Sequence, residues 1–379
     1  MNISGLTNIQ PTQHYSISVK NNSYLSNKNL KSDTFERTTS PAFTGRSSKC
    51  MKLIENELRN IDGVHDPYSD IIMISEKKFN ILRTKLQKRN NSKSMITLLS
   101  AQEQHMFPPE KEVFGYIKSY TKKTAKNNSQ KARELTFSDI LQELLPNAKV
   151  HLVNKQVNVV KNIQKLSEKH LSEESQKKVG QVLSTIEESI YNDSFRIGPA
   201  KKELAKLRNE IPEKKIFKRI MQETEQFPSS VTSPEVFIIN NANKSSQQIA
   251  EAFVHPALIS VEHIKPYSKG GESSAKNYIA ASTRMNNIRS STPLHEFIRR
   301  FPNIPTCSQR YIDDITTKIN RGGLRNLAVA MPEVKEGLSK QSKGLINVDI
   351  SNINNDITQG ANKLRTKIDE LVNYFHRDK

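Results

Sequence analysis

The chain has 379 residues, with 58 Lys or Arg against 39 Asp or Glu and a formal net charge of +19. That field favours polyanionic partners, nucleic acid ahead of an anionic membrane surface, without deciding between them. Hydrophobic residues make up only 35% and Trp is absent, so modest helical cores and a long disordered part are expected rather than one large apolar core. Two cysteines, Cys50 and Cys307, exclude a multi-cysteine zinc site and a disulfide framework. No apolar run approaches the roughly 18 residues of a membrane helix, and the start of the chain lacks a basic segment followed by an apolar one. No membrane partner and a reducing, cytoplasmic setting are the expectation.

Residues 1–48 are dominated by Ser, Thr, Asn and Lys without periodicity. They bury too little surface to offset ordering entropy and are expected to form a disordered arm. Residues 49–235 read as a helical region of unassigned role. Leu53, Ile54 and Leu58 begin a helix near Met51. The segment His65-Asp66-Pro67-Tyr68 reads as a turn. Ser75 follows the apolar run 71–74 and is placed to cap a helix through Leu82 and Leu86. Asn90-Asn91-Ser92 breaks that helix. Another is expected over 95–105, stopped by Pro108-Pro109, and the next over 110–120 with Val113, Phe114 and Ile117 on one side.

Residues 122–133, KKTAKNNSQKAR, read as a basic hinge able to follow a phosphate backbone. Helical patterning resumes over 135–145, where Ser138 is a cap candidate, then over 150–166 and 179–190. A basic amphipathic helix over 201–221 is interrupted at Pro212. Short antiparallel helices account for this middle region. Val236 to Ile239 leads into a loop over 240–245, and Ser246 is a cap candidate for a short helix ended by Pro256.

Residues 258–290 change character. Leu258-Ile259-Ser260-Val261 is β-prone and delivers Glu262 and His263 at its end. Ser268-Lys269-Gly270-Gly271 is turn chemistry, and Tyr278-Ile279-Ala280 is apolar enough for a second strand. Ser282-Thr283 can open a helix carrying Asn286 and Arg289 at i and i+3, on one face. Strand, loop, strand and helix therefore converge polar groups. A neutral imidazole can take a proton near pH 7. A carboxylate and a side-chain amide are oxygen donors suited to Mg²⁺ or Mn²⁺.

The pattern Glu262-His263-Ile264-x-Pro266-x-Ser268-x-Gly270-Gly271, then Asn277, then Asn286 with Arg289, resembles the ββα-metal core of the HNH endonucleases in an H-N-N variant. The resemblance covers about residues 245–300. It implies that His263 is the general base, that Glu262 and Asn286 hold a divalent metal, that Asn277 braces the loop carrying the histidine, and that Arg289 contacts phosphate. The adjacent Asn287 leaves the metal ligand open by one position. Zinc-knuckle cysteines that brace many HNH domains are absent, so packing must hold this one. Arg284, Arg289, Arg299 and Arg300 are the candidate nucleic-acid contacts. His255 and His295 read as structural or surface histidines.

Past 302–305 the chain looks helical over 311–319 and 324–330, then loose over 340–358, with a last amphipathic segment over 357–375. The expected architecture is mainly α with a small α+β unit. It comprises a disordered arm (1–48), a helical region (49–235), an HNH core domain (236–305) and a C-terminal helical extension (306–379). The expected activity is metal-dependent hydrolysis of phosphodiester bonds in DNA, an HNH toxin effector being one biological form of it. Two other readings compete: a catalytically inactive nucleic-acid-binding relative, and a helical adaptor that uses its basic surfaces.

Overall fold

A computed structural model describes residues 47–353. The arm expected over 1–48 lies outside these residues except for its last two positions, and the amphipathic segment expected over 357–375 lies wholly outside them.

Among the described residues the fold is mainly helical, with one two-stranded antiparallel sheet. Six helices come first: α1 (Ser47–Asn60), α2 (Glu76–Gln87), α3 (Ser92–Ser100), α4 (Pro108–Asn127), α5 (Ser129–Glu134) and α6 (Phe137–His170). Then follow α7 (Glu173–Tyr191), α8 (Ile197–Lys206), α9 (Lys214–Glu223), α10 (Pro234–Asn241) and α11 (Ser246–Ala252). The hairpin comes next, β1 (Ile259–His263) and β2 (Tyr278–Ser282), and then α12 (Thr283–Arg289), α13 (Leu294–Arg300), α14 (Ile304–Asn320) and α15 (Arg325–Gln341). No helix among the described residues is long and apolar enough to cross a membrane.

Capping explains several boundaries. Ser75 caps α2 as expected, its hydroxyl accepting from the Lys78 N–H. Asn91 does the same for α3. Elsewhere the cap lies one or two residues from the expected position. Thr136 rather than Ser138 caps α6, with Asp139 completing a capping box, and Ser245 rather than Ser246 caps α11. Pro108-Pro109 opens α4 instead of ending its predecessor, because the first helical positions need no N–H partner. The basic hinge is itself helical, interrupted only at Asn128, which ends α4 and caps α5. Val236 to Ile239, expected to lead into a loop over 240–245, lies in α10, which runs on through Asn241.

The two helices expected on either side of residue 146 are one helix of 34 residues with Pro146 inside it. An interior proline costs about 3 kcal/mol or more. Burial of Ile140 and Leu141 before it and of Ala148, Val157 and Val160 after it holds the helix through that position.

Apolar packing forms two clusters. A small one joins the second half of α6 with α7, α8 and α9, from Val157 to Phe227. The large one draws together residues 54–148 and 237–353, so the region 49–235 is divided between the two clusters, the chain passing from the small one to the large one between Phe227 and Phe237. The residues of the hairpin share one core with the first and last helices. Ile74 forms a parallel bridge to Leu258, and its backbone receives from the Ile259 N–H at 3.1 Å. Helix α1 packs against both strands, and α15 against the turn preceding β2. Glu57 of α1 accepts from the backbone N–H of Asn326 (3.1 Å) and of Leu327 (2.8 Å), which caps α15. At Gly337 a Cβ would lie 2.1 Å from the Lys276 carbonyl oxygen. Only glycine allows α15 that close.

Candidate active site

The hairpin pairs Ile259 with Ser282 and runs in register to His263 opposite Tyr278. Side chains alternate along β1, so Ser260 and Glu262 share one face. Helix α12 covers that face: Asn286 Nδ2 donates to Ser260 Oγ at 2.9 Å, and the Arg289 guanidinium pairs with Glu262. Of the two adjacent asparagines, Asn286 is half-buried toward β1 and Asn287 is exposed. The tertiary arrangement thus separates two residues that spacing alone left equivalent.

Asn277 closes the loop between the strands. Its Oδ1 accepts from the Lys265 N–H at 2.6 Å, and its Nδ2 donates to the carbonyls of Lys265 (3.1 Å) and Glu272 (2.8 Å). Gly270 sits at φ +77°, in the left-handed region, and a Cβ on Gly271 would fall 1.9 Å from the Lys265 carbonyl oxygen. The two glycines and the buried amide therefore fix the loop that leaves His263.

The His263 ring lies edge-on to Tyr278, with centroids 4.7 Å apart, and 6.2 Å from the ring of Tyr267. Its Nε2 is buried without a hydrogen-bond partner among the described residues. Burial pushes the imidazole pKa below its ordinary value, partly opposed by Glu55 of α1, while Arg289 pushes the same way as burial. The shift favours the neutral form of the ring.

Glu262 is buried. One carboxylate oxygen is taken by Arg289, and the other, Oε2, has no partner among the described residues. Burial raises its pKa, against the pull of the guanidinium. Arg289 is 0% exposed. Besides Glu262 it donates to the carbonyls of His263 (2.9 Å) and Ile264 and to the Tyr68 hydroxyl (3.3 Å). The solvent-facing phosphate contact expected of Arg289 is therefore corrected: this side chain is spent inside the protein, fixing the end of β1.

Arg284 is corrected in the same way. Its side chain is 12% exposed, paired through both terminal nitrogens with Glu110, a buried carboxylate of α4, and stacked over Phe107. Arg299 and Arg300 are exposed at the end of α13, and Arg300 contacts Glu225 at 3.1 Å. His255 lines a cleft with Glu110, Lys244 and Arg284 that holds neither His263 nor Asn286.

Two residues of the turn at 65–68 belong to this neighbourhood. Asp66 is fully buried. Its Oδ2 accepts from the Ser282 N–H at 3.2 Å and from the Ser282 hydroxyl, and its Oδ1 accepts from the Tyr68 N–H at 2.8 Å. Desolvation raises its pKa to about 6, moderated by these bonds. Tyr68 packs edge-on against Phe297 at 5.5 Å and reaches Arg289 with its hydroxyl. Nothing local marks these residues as site neighbours, because their partners lie more than two hundred positions away. An apolar run directly after the turn was the one available sign of a buried segment.

No group of three or more His, Cys, Asp or Glu among the described residues is placed to hold a metal. On the α12 side of β1, Glu262 Oε2 is buried without a hydrogen-bond partner among the described residues, and Asn286 turns its Nδ2 to Ser260. Carboxylate and amide oxygens are hard donors, the class that Mg²⁺ and Mn²⁺ take. Compared with known proteins, the chain matches no family model, no curated protein and no solved structure.

Proposed function

We propose that this chain is a metal-dependent endonuclease of the HNH type, hydrolysing phosphodiester bonds in DNA. The observation that carries the reading is His263 itself. Burial lowers its pKa and its Nε2 is buried without a hydrogen-bond partner among the described residues. It stands at the end of a strand whose carbonyl is anchored by Arg289 and whose following loop is anchored by Asn277.

In this reading His263 takes the proton of the attacking water as the new oxygen–phosphorus bond forms and the 3′ oxygen leaves. A neutral base with a depressed pKa is ready for that step at neutral pH. Glu262 and Asn286 would hold Mg²⁺ or Mn²⁺, which when bound offsets the charge developing on the phosphate. Arg289 hydrogen-bonds the carboxylate oxygen opposite the open one, the usual arrangement around a ligating carboxylate. Asn277 positions His263 and touches no substrate.

A second reading has its own support. The Glu262–Arg289 pair already compensates the carboxylate, which favours a nucleic-acid-binding relative without catalysis. Incubation of plasmid with Mg²⁺ separates the two. The nuclease reading expects cleavage by the wild-type chain and none by His263→Ala. Equal cutting by both proteins removes His263 from the chemistry, and DNA binding without cutting by either leaves the second reading.

A further inference from the structure

Beside His263 stands a side chain with no part in the proposed hydrolysis. Tyr267 is 69% exposed, on the single helical turn that follows Pro266. Its ring centroid lies 6.2 Å from that of His263. The backbone beneath it is fixed. The N–H groups of Lys269 and Gly271 both donate to the Pro266 carbonyl at 2.9 and 3.0 Å, and Gly270 donates to the Tyr267 carbonyl at 2.9 Å. The whole turn is closed by Asn277. The loop that carries this aromatic also holds three lysines, Lys265, Lys269 and Lys276, with Glu272 its only acid. None of the three lysines makes an ion pair among the described residues.

A large ring held out in water on a rigid turn loses little conformational freedom when something flat settles on it. Inside a duplex both faces of every base are occupied by neighbouring bases. A ring next to the general base can stack only on a base that has left the stack. Unpaired bases stacked on aromatic side chains, with cations following the backbone, are the general means of gripping single strands.

We infer that Tyr267 is a stacking platform for an unpaired nucleobase adjacent to the scissile phosphate, so that the site takes single-stranded or locally opened DNA in preference to intact duplex. The adjacency to a scissile phosphate rests on the nuclease reading. The stacking itself is testable as binding alone.

The test uses the full chain carrying His263→Ala, so that substrate survives, and a single-stranded oligonucleotide with 2-aminopurine placed at successive positions. Binding should quench the probe at one or two positions. Added Tyr267→Ala should abolish that quenching and weaken single-strand affinity on the order of 5- to 150-fold, the usual range for one stacked base. Tyr267→Phe should retain both. Affinity for a duplex of the same sequence should not change with Tyr267→Ala. Unaltered single-strand affinity and quenching in Tyr267→Ala overturn the inference and leave the nuclease reading untouched. Tyr267-dependent stacking in a chain whose wild type cuts nothing sustains the platform and removes the nuclease reading. A chain that binds no nucleic acid removes both.

Discussion

Arg289 and Glu262 form an ion pair that is closed off from solvent, with the guanidinium also holding the carbonyls of the two residues that follow Glu262. The pair ties α12 to the end of β1, and so sets where His263 stands. Removing one partner of a buried pair leaves the other charge uncompensated, at a cost of about 3–5 kcal/mol. Arg289→Met should therefore lower the unfolding free energy, measured in urea, by an amount in that range. Arg289→Lys should lower it as well, since an ammonium does not reproduce the planar fork that serves several acceptors at once. An unfolding free energy unchanged in Arg289→Met would show that the pair is not what anchors the strand.

His263 should be the pH-limiting group. Its pKa lies below the ordinary 6.5, so cleavage should rise with pH through that depressed value and be flat above it. Loss of a general base costs roughly 10²–10⁴ in rate, and His263→Ala should fall by that much with little change in unfolding midpoint. For stability the sign is the same: the unfolded chain binds the proton more readily, so this group's contribution falls as pH drops below 6.5. An activity limb above pH 7 would point to a different base.

Asp66 carries the opposite linkage. Its folded pKa is raised from 3.8 to about 6, so the folded state keeps the proton that the unfolded chain releases. Its stabilising contribution is complete below 3.8 and is lost as pH rises to about 6. The shift is worth on the order of 3 kcal/mol. Urea titrations at pH 4 and pH 7 should show this loss in the wild type and not in Asp66→Asn. Parallel pH profiles for the two proteins would place the Asp66 proton elsewhere.

The arginines near the hairpin should divide into two kinds. Arg299→Glu with Arg300→Glu should weaken DNA binding alike for unrelated sequences, with a shallower salt dependence, by about 0.9 in log–log slope for each duplex phosphate no longer neutralised. Arg284→Glu should instead destabilise the fold, because it sets a second carboxylate against Glu110, which is 0% exposed. Filter-binding titrations across salt, beside unfolding curves, distinguish the two effects. Equal behaviour of all three variants would mean that burial of Arg284 does not govern its role.

The hairpin and α12 were legible in the sequence because their signals are local. A β-prone run, a Gly-Gly turn, a short apolar run and Ser282 as cap each act within a few residues, and the structure places β1, β2 and α12 where those signals lie. The bracing amide of Asn277 followed from a spacing resemblance, and its three bonds are to the loop expected. Charge and motif could not say which arginines face water. Arg289 is buried and Arg284 half-buried because Tyr68, 221 positions away, and Glu110, 174 positions away, come to them through the shared core. Asp66 joined the site for the same reason, and α6 ran through Pro146 because burial on both sides outweighs a local break. What the sequence alone determined was the chemistry on offer at the hairpin; which charges remain available to a ligand was decided by long-range burial, which no local pattern encodes.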